Sequence, residues 1–152
     1  MKPRTLARSL ALQVLFEADL VEHAAGTVLQ ERLDDLETPP EARVAEFARQ
    51  IVFGVLTHRV ALDRYILEHA AEWPIDQVAI IDRNILRIAL WELAVYDDTP
   101  TKVAINEAIE LAKMFGSDSA GRFVNGVLGA LVNRKDEVRR ALSLPRVQPI
   151  GD

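Results

Sequence analysis

The chain has 152 residues, 49% hydrophobic and 27% charged, with a formal net charge of −5; this is the composition of one globular domain with enough apolar material for a core, and it carries no disorder signature. The absence of cysteine excludes a disulfide framework and thiolate metal sites and fits a reducing cytoplasm. No apolar run approaches the roughly 18 residues of a membrane span, so no membrane partner is expected.

Charge is unevenly placed. Residues 1–16 hold three basic and no acidic side chains, residues 17–100 seven basic and seventeen acidic, and residues 101–152 eight basic and six acidic. Basic ends and an acidic middle could offer different surfaces to RNA and to a basic protein, although acidic helices also serve solubility alone.

The first helix is expected from about Arg4 to Val21, with Leu6, Leu10, Val14 and Ala18 on one strip and Leu12, Leu15 and Phe16 widening it. Gln13 breaks the apolar run and Glu17, Asp19 and Glu22 continue the helical pattern, so the segment reads as a retained helix and not as a targeting signal. Arg4 and Arg8 lie one turn apart, so both guanidinium groups could reach successive phosphates, with Lys2 extending the patch. Taken by spacing alone, such a pair is more often a solvated helix face.

Gly26 precedes a second helix, Thr27 to Leu36, with Thr27 as its cap, and Glu37 to Pro40 form a turn. The apolar spacing from Glu41 to about Ala71 is too long for one ordinary helix, and a bend near Gly54 to Arg59 is expected to divide it in two. His58 and His69 are eleven residues apart and His23 is remote, so no metal centre is expected. After a break at Trp73 and Pro74, Ile80 to Tyr96 reads as the most buried helix, with Arg83 and Arg87 as an internal salt-bridge set.

Asp97 to Pro100 close that helix and Thr101 can cap the next, in which Val103, Ile105, Ala108, Ile109, Ala112 and Phe115 recur at three- and four-residue steps. Asn106 reads as fixing a helix junction. Glu107 and Glu110 lack a nucleophile, a metal ligand or a glycine-rich cradle beside them, so no catalysis is expected. Gly116 stops the helix, and Ser117, Asp118 and Ser119 offer caps to a last helix running from Ser119 to Leu142. The tail from about residue 143, with Pro145 and Pro149, is expected to fray. Arg122 and Phe123 fall in the first turn of the last helix. Either they meet a phosphate and a base there, or Phe123 belongs to the core and Arg122 is a solvated charge.

No segment alternates with period two, so the expected fold is all-α, a single domain over residues 1–152 with about seven helices. The segments ILRIALWEL (Ile85 to Leu93), KVAINEAIELAK (Lys102 to Lys113) and FVNGVL (Phe123 to Leu128), with Arg4-x-x-x-Arg8 and ALQVLF before them, resemble the NusB family of transcription antitermination factors along essentially the whole chain. The resemblance implies two small helical bundles packed together and a protein without enzymatic activity or cofactor. It implies binding of boxA-type single-stranded RNA as a heterodimer with NusE, a small-subunit ribosomal protein. It further implies assembly, in the cytoplasm, on the elongating RNA polymerase with other Nus factors, which suppresses termination in ribosomal RNA operons. RNA would then meet Lys2, Arg4, Arg8, Ser119, Arg122 and Phe123, and NusE would meet Asp82 and Phe16.

The chain departs from the family pattern at Leu6, among the N-terminal basic residues, at Ser119, where aspartate is frequent, and at Gly129, where an acid is usual. Two rival functions are a helical adaptor without RNA binding and a stand-alone relative of the NusB-like domain of ribosomal RNA cytosine methyltransferases. Pairing with a second copy through an apolar face stays open.

Overall fold

Every regular element among the described residues is helical: α1 (Pro3–Leu20), α2 (Ala25–Asp34), α3 (Ala42–His69), α4 (Ile80–Trp91), α5 (Thr101–Phe115), α6 (Ala120–Leu131) and α7 (Lys135–Ser143). A π-helical turn, Glu92–Tyr96, extends α4, and a 3-10 turn, Val132–Arg134, joins α6 to α7. The computed structural model describes residues 1–20, 24–70 and 78–143. The expectations placed on Val21, His23, Ala71, the break at Trp73 and Pro74, and the tail with Pro145 and Pro149 lie outside them.

Helices α1, α2 and α3 pack on one another, as do α4, α5 and α6, and α4 also lies against α1 and α3, so two small bundles share one core. Leu12, Val14, Ile51, Val52, Leu62, Ile66, Ile85, Leu86, Leu90, Leu111, Val124 and Leu128 are almost wholly removed from water. Burying each such side chain contributes on the order of 1.5–3 kcal/mol before entropy is counted, so packing, not helix propensity, holds the bundles.

The expected bend in the third helix is absent: α3 is continuous for 28 residues. Gly54 has a different reason. A Cβ there would fall inside the indole of Trp91, so the glycine lets α3 and α4 approach closely. The expected single last helix is instead interrupted by the 3-10 turn ahead of α7. Arg139 on α7 can then donate to the carbonyls of Ala94 (3.3 Å) and Leu93 (3.5 Å) and pair with Asp97. Asp97 closes the π-turn in the left-handed region at φ 54°.

The capping expectations also change. α2 begins at Ala25 after Ala24, α5 at Thr101 after Pro100, and α6 at Ala120 after Ser119, and none of these preceding residues makes a side-chain cap. Thr27 and Thr101 therefore lie inside their helices. Gly116 does end α5, in extended backbone. Its lack of a side chain leaves room for Ala120, whose Cβ would be 2.6 Å from a Cβ at residue 116.

Two buried polar residues of α4, Asn84 and Arg87, are paired across the bundles. Arg87 donates to both carboxylate oxygens of Asp63 (2.7 and 2.8 Å) and to Asp19 (2.9 Å), while Asn84 reaches Asp19 at 2.9 Å. Arg83, expected in the same set, donates instead to the carbonyl of Val78 at 3.1 Å.

Gly54→Ala is expected to destabilise the protein by about 1–3 kcal/mol in urea unfolding, because overpacking against Trp91 outweighs the gain in helix propensity. The loss should shrink when Trp91→Phe is combined with it. A neutral or stabilising Gly54→Ala would show that Trp91 does not need the gap.

Candidate nucleic-acid interface

Two open grooves border α5. The one at its start, of about 460 Å³, is lined by Lys2, by Arg4 and Thr5 of α1, by Arg43 of α3, and by Thr99, Pro100 and Val103. The one at its end, of about 410 Å³, is lined by Lys113, Gly116, Asp118, Gly121, Arg122 and Asn125. Between them α5 exposes Lys102, Asn106 and Glu110. Asn106 therefore faces solvent and does not fix a helix junction.

The first groove corrects the arginine pair. Lys2 and Arg4 are exposed, and Arg4 lies over the Phe47 ring, 4.5 Å from its centroid, and 5.6 Å from that of Tyr96. Stacking of this kind holds a guanidinium in place at little entropic cost when a phosphate arrives. Arg8 turns inward and is only 2% exposed. Its Nε and Nη2 donate to the two carboxylate oxygens of Glu92 at 2.8 and 2.7 Å, and Glu107 lies 3.8 Å from Nη1. Burial works against the Arg8 charge, but the hydrogen bond and charge of Glu92, followed by Glu107, more than offset it and hold the guanidinium above its ordinary value. Thr99 donates to Glu92 at 2.9 Å and Thr5 to Glu107 at 3.0 Å. Arg8 thus fixes the groove wall and has no free donor fork for phosphate. One turn of spacing put both arginines on one face, but it could not show that a carboxylate 84 residues away draws one of them in.

At the second groove, Ser119 and Arg122 are exposed. The amides of Ala120 and Phe123 are taken by the carbonyls of Ser117 and Ser119 at 3.0 and 3.1 Å. Lys113 adds a second cation beside Arg122, loosely paired with Glu110 at 3.4 Å. Phe123 is half-buried and packs on the core, which is the core reading of this residue. Lys113, Asn125 and Arg43 were not singled out by sequence. Lys113 and Asn125 sit inside recurrent motifs, where their helical phase, opposite the apolar strip, was the available signal.

The two residues assigned to NusE separate. Phe16 is half-buried on α1. Asp82 lies inside, 8% exposed, and its Oδ1 has no hydrogen-bond partner among the described residues. That atom would be 3.1 Å from a Cβ on Gly116, so the carboxyl closes the floor beneath the α5–α6 turn and presents no charge on the surface. The start of α4 favours negative charge, but loss of water dominates and pushes the Asp82 carboxyl above its ordinary value.

A carboxyl whose pKa is raised by folding adds stability in acid and loses that contribution as pH rises through its folded value. Asp82→Asn is therefore expected to raise the unfolding midpoint at pH 7, with the gain vanishing below the ordinary carboxylate range. Equal midpoints for both proteins at pH 7 would mean that Asp82 is not penalised by burial.

Among the described residues no group of three or more His, Asp or Glu side chains is placed to hold a metal ion, and no helix is long and apolar enough to cross a membrane. A family model described as the NusB family matches residues 5–133. The transcription antitermination protein NusB of Chloroflexus aggregans is 52% identical over 133 residues, 86% of this chain and 87% of that one. Its counterpart in Bacillus subtilis is 44% identical over 141 residues, 93% of this chain and 100% of that one. The fold is similar to a chain in a crystal structure of the antitermination factors NusB and NusE in complex with double-stranded RNA, with a TM-score of 0.79, 28% identity, and coverage of 88% of this chain and 98% of that one. Ordered motifs, helical architecture and the matched span all agree, and the chain belongs to the NusB family.

Proposed function

We propose that this protein is a transcription antitermination factor that binds boxA-type RNA together with NusE and joins the elongating RNA polymerase with other Nus factors, suppressing termination in ribosomal RNA operons. The observation that carries this reading is the likeness over most of the chain to a NusB protein solved with NusE and RNA. Two cation-bearing grooves on either side of α5 support it. The action is recognition in the cytoplasm, and no covalent bond is made or broken.

Lys2 and Arg4 at the first groove and Arg122 at the second neutralise phosphates, while the outer side of Phe123 offers a base a surface to stack on. Ser119, exposed between the α5 end and α6, contributes a hydroxyl without the repulsion that a carboxylate would exert there. NusE sits on the acidic middle of the chain with Phe16 as an apolar contact, and Asp82 acts from beneath by shaping the turn. Pairing of two copies, where it occurs, uses the outer face of α3, on which Phe53, Val60 and Leu67 are exposed at seven-residue steps.

Fluorescence anisotropy with boxA RNA and a scrambled control, with and without NusE, tests the reading. Preference for boxA, strengthened by NusE, is expected. Phe123→Leu, which keeps the packing and removes the ring, should weaken binding about tenfold, the scale of one lost base stack. Failure of the wild-type protein to bind either RNA, even with NusE, would leave a protein-binding adaptor in its place.

A further inference from the structure

The first groove has a cation that comes from neither of the basic ends of the chain. Arg43 stands in the first turn of α3, 70% exposed, and lines both the groove and a smaller cavity of about 100 Å³ shared with Arg4. A cation at the start of a 28-residue helix opposes the helix dipole, so this placement gains nothing for the stability of α3. Its ion-pair partner is Glu41, two residues away and also solvent-exposed at 63%, a contact of the kind that contributes little and yields readily to a phosphate.

Three helix starts add to the positive potential, against which exposed Asp98 counts. The groove lies where α1, α3 and α5 all begin, and none of the three has an acid in its first turn. Of the acids along it, Glu107 is occupied by Thr5 and Arg8, and Asp98 stands exposed. Lys2, Arg4 and Arg43 thus remain as outward cations, while Arg8 is spent on Glu92.

We propose that Arg43 is a phosphate-binding residue of the RNA interface, completing with Lys2 and Arg4 the site that helical spacing on α1 alone would give to Arg8. The inference rests on the RNA-binding reading above and specifies which side chains execute it. The basic surface is then assembled from two helices far apart in sequence, and RNA reads the junction of α1 and α3 rather than one face of α1.

Binding of boxA RNA to the protein with NusE, measured by anisotropy over a series of salt concentrations, tests it. Removing one phosphate contact to a single strand lowers the slope of log K against log salt by about 0.7, which is about fivefold in affinity near 0.1 M salt. Arg43→Ala is expected to show that loss. Arg43→Lys should retain the slope, Arg49→Ala, on α3 outside the groove, should match wild type, and Glu41→Gln should tighten binding. An Arg43→Ala protein with wild-type slope and affinity, alongside a Lys2→Ala protein that loses its contact, would overturn the assignment while leaving RNA binding intact. If the wild-type complex does not prefer boxA to the scrambled RNA, the underlying reading fails, and this inference with it.

Discussion

The buried ion pair between Arg8 and Glu92 ties α1 to the end of α4 and, through Glu107, to α5. The partners are 2% and 1% exposed and meet through two parallel hydrogen bonds. Taking both charges out of water is costly, and only close geometry with further hydrogen bonds offsets it. The structure supplies them. Thr99 donates to Glu92, and Glu107 of α5 closes on Arg8 while accepting from Thr5. One charge on α1 therefore fixes the end of α4, the loop before α5 and α5 itself.

The π-turn that carries Glu92 is held from its other side as well. Tyr96 stacks on Trp91 and contacts Phe47, with ring centroids 5.4 and 5.2 Å apart, and Arg139 of α7 covers the turn's carbonyls. Arg4 rests on the same aromatic cluster. The groove wall and its exposed cation are thus set by the packing that joins the bundles. On the proposed function this surface is preorganised, so that RNA binding there would cost little ordering entropy.

Helix type and approximate extent were legible in the sequence because apolar side chains recur at three- and four-residue steps along every element. What periodicity cannot carry is distance across the chain. It placed Arg4 and Arg8 together but not the carboxylate that claims one of them. It registered Gly54 as a breaker because the indole that requires the gap lies on another helix. Residue type suggested Thr27, Thr101 and Ser119 as caps, whereas Thr27 and Thr101 lie inside their helices and Ser119 precedes α6 without a side-chain cap bond. Asp82 was assigned by resemblance to a partner surface and lies beneath a turn, since nothing local reports burial of a polar residue. Arg43 had a local signal, a cation against the helix dipole, that points to function only once its neighbours in the groove are known.

The proposed function gives Arg8 to the fold and phosphate binding to other residues. The most direct measurement compares Arg8→Met with the double variant Arg8→Met/Glu92→Leu, in urea unfolding and in the salt dependence of boxA RNA binding. The single variant should lose about 3–5 kcal/mol, because it strands Glu92 in the interior, and the double variant should recover most of that loss. Folded double variant that binds RNA with the wild-type salt slope is the predicted result. A stable double variant whose slope is shallower by about 0.7 would instead make Arg8 itself a phosphate contact.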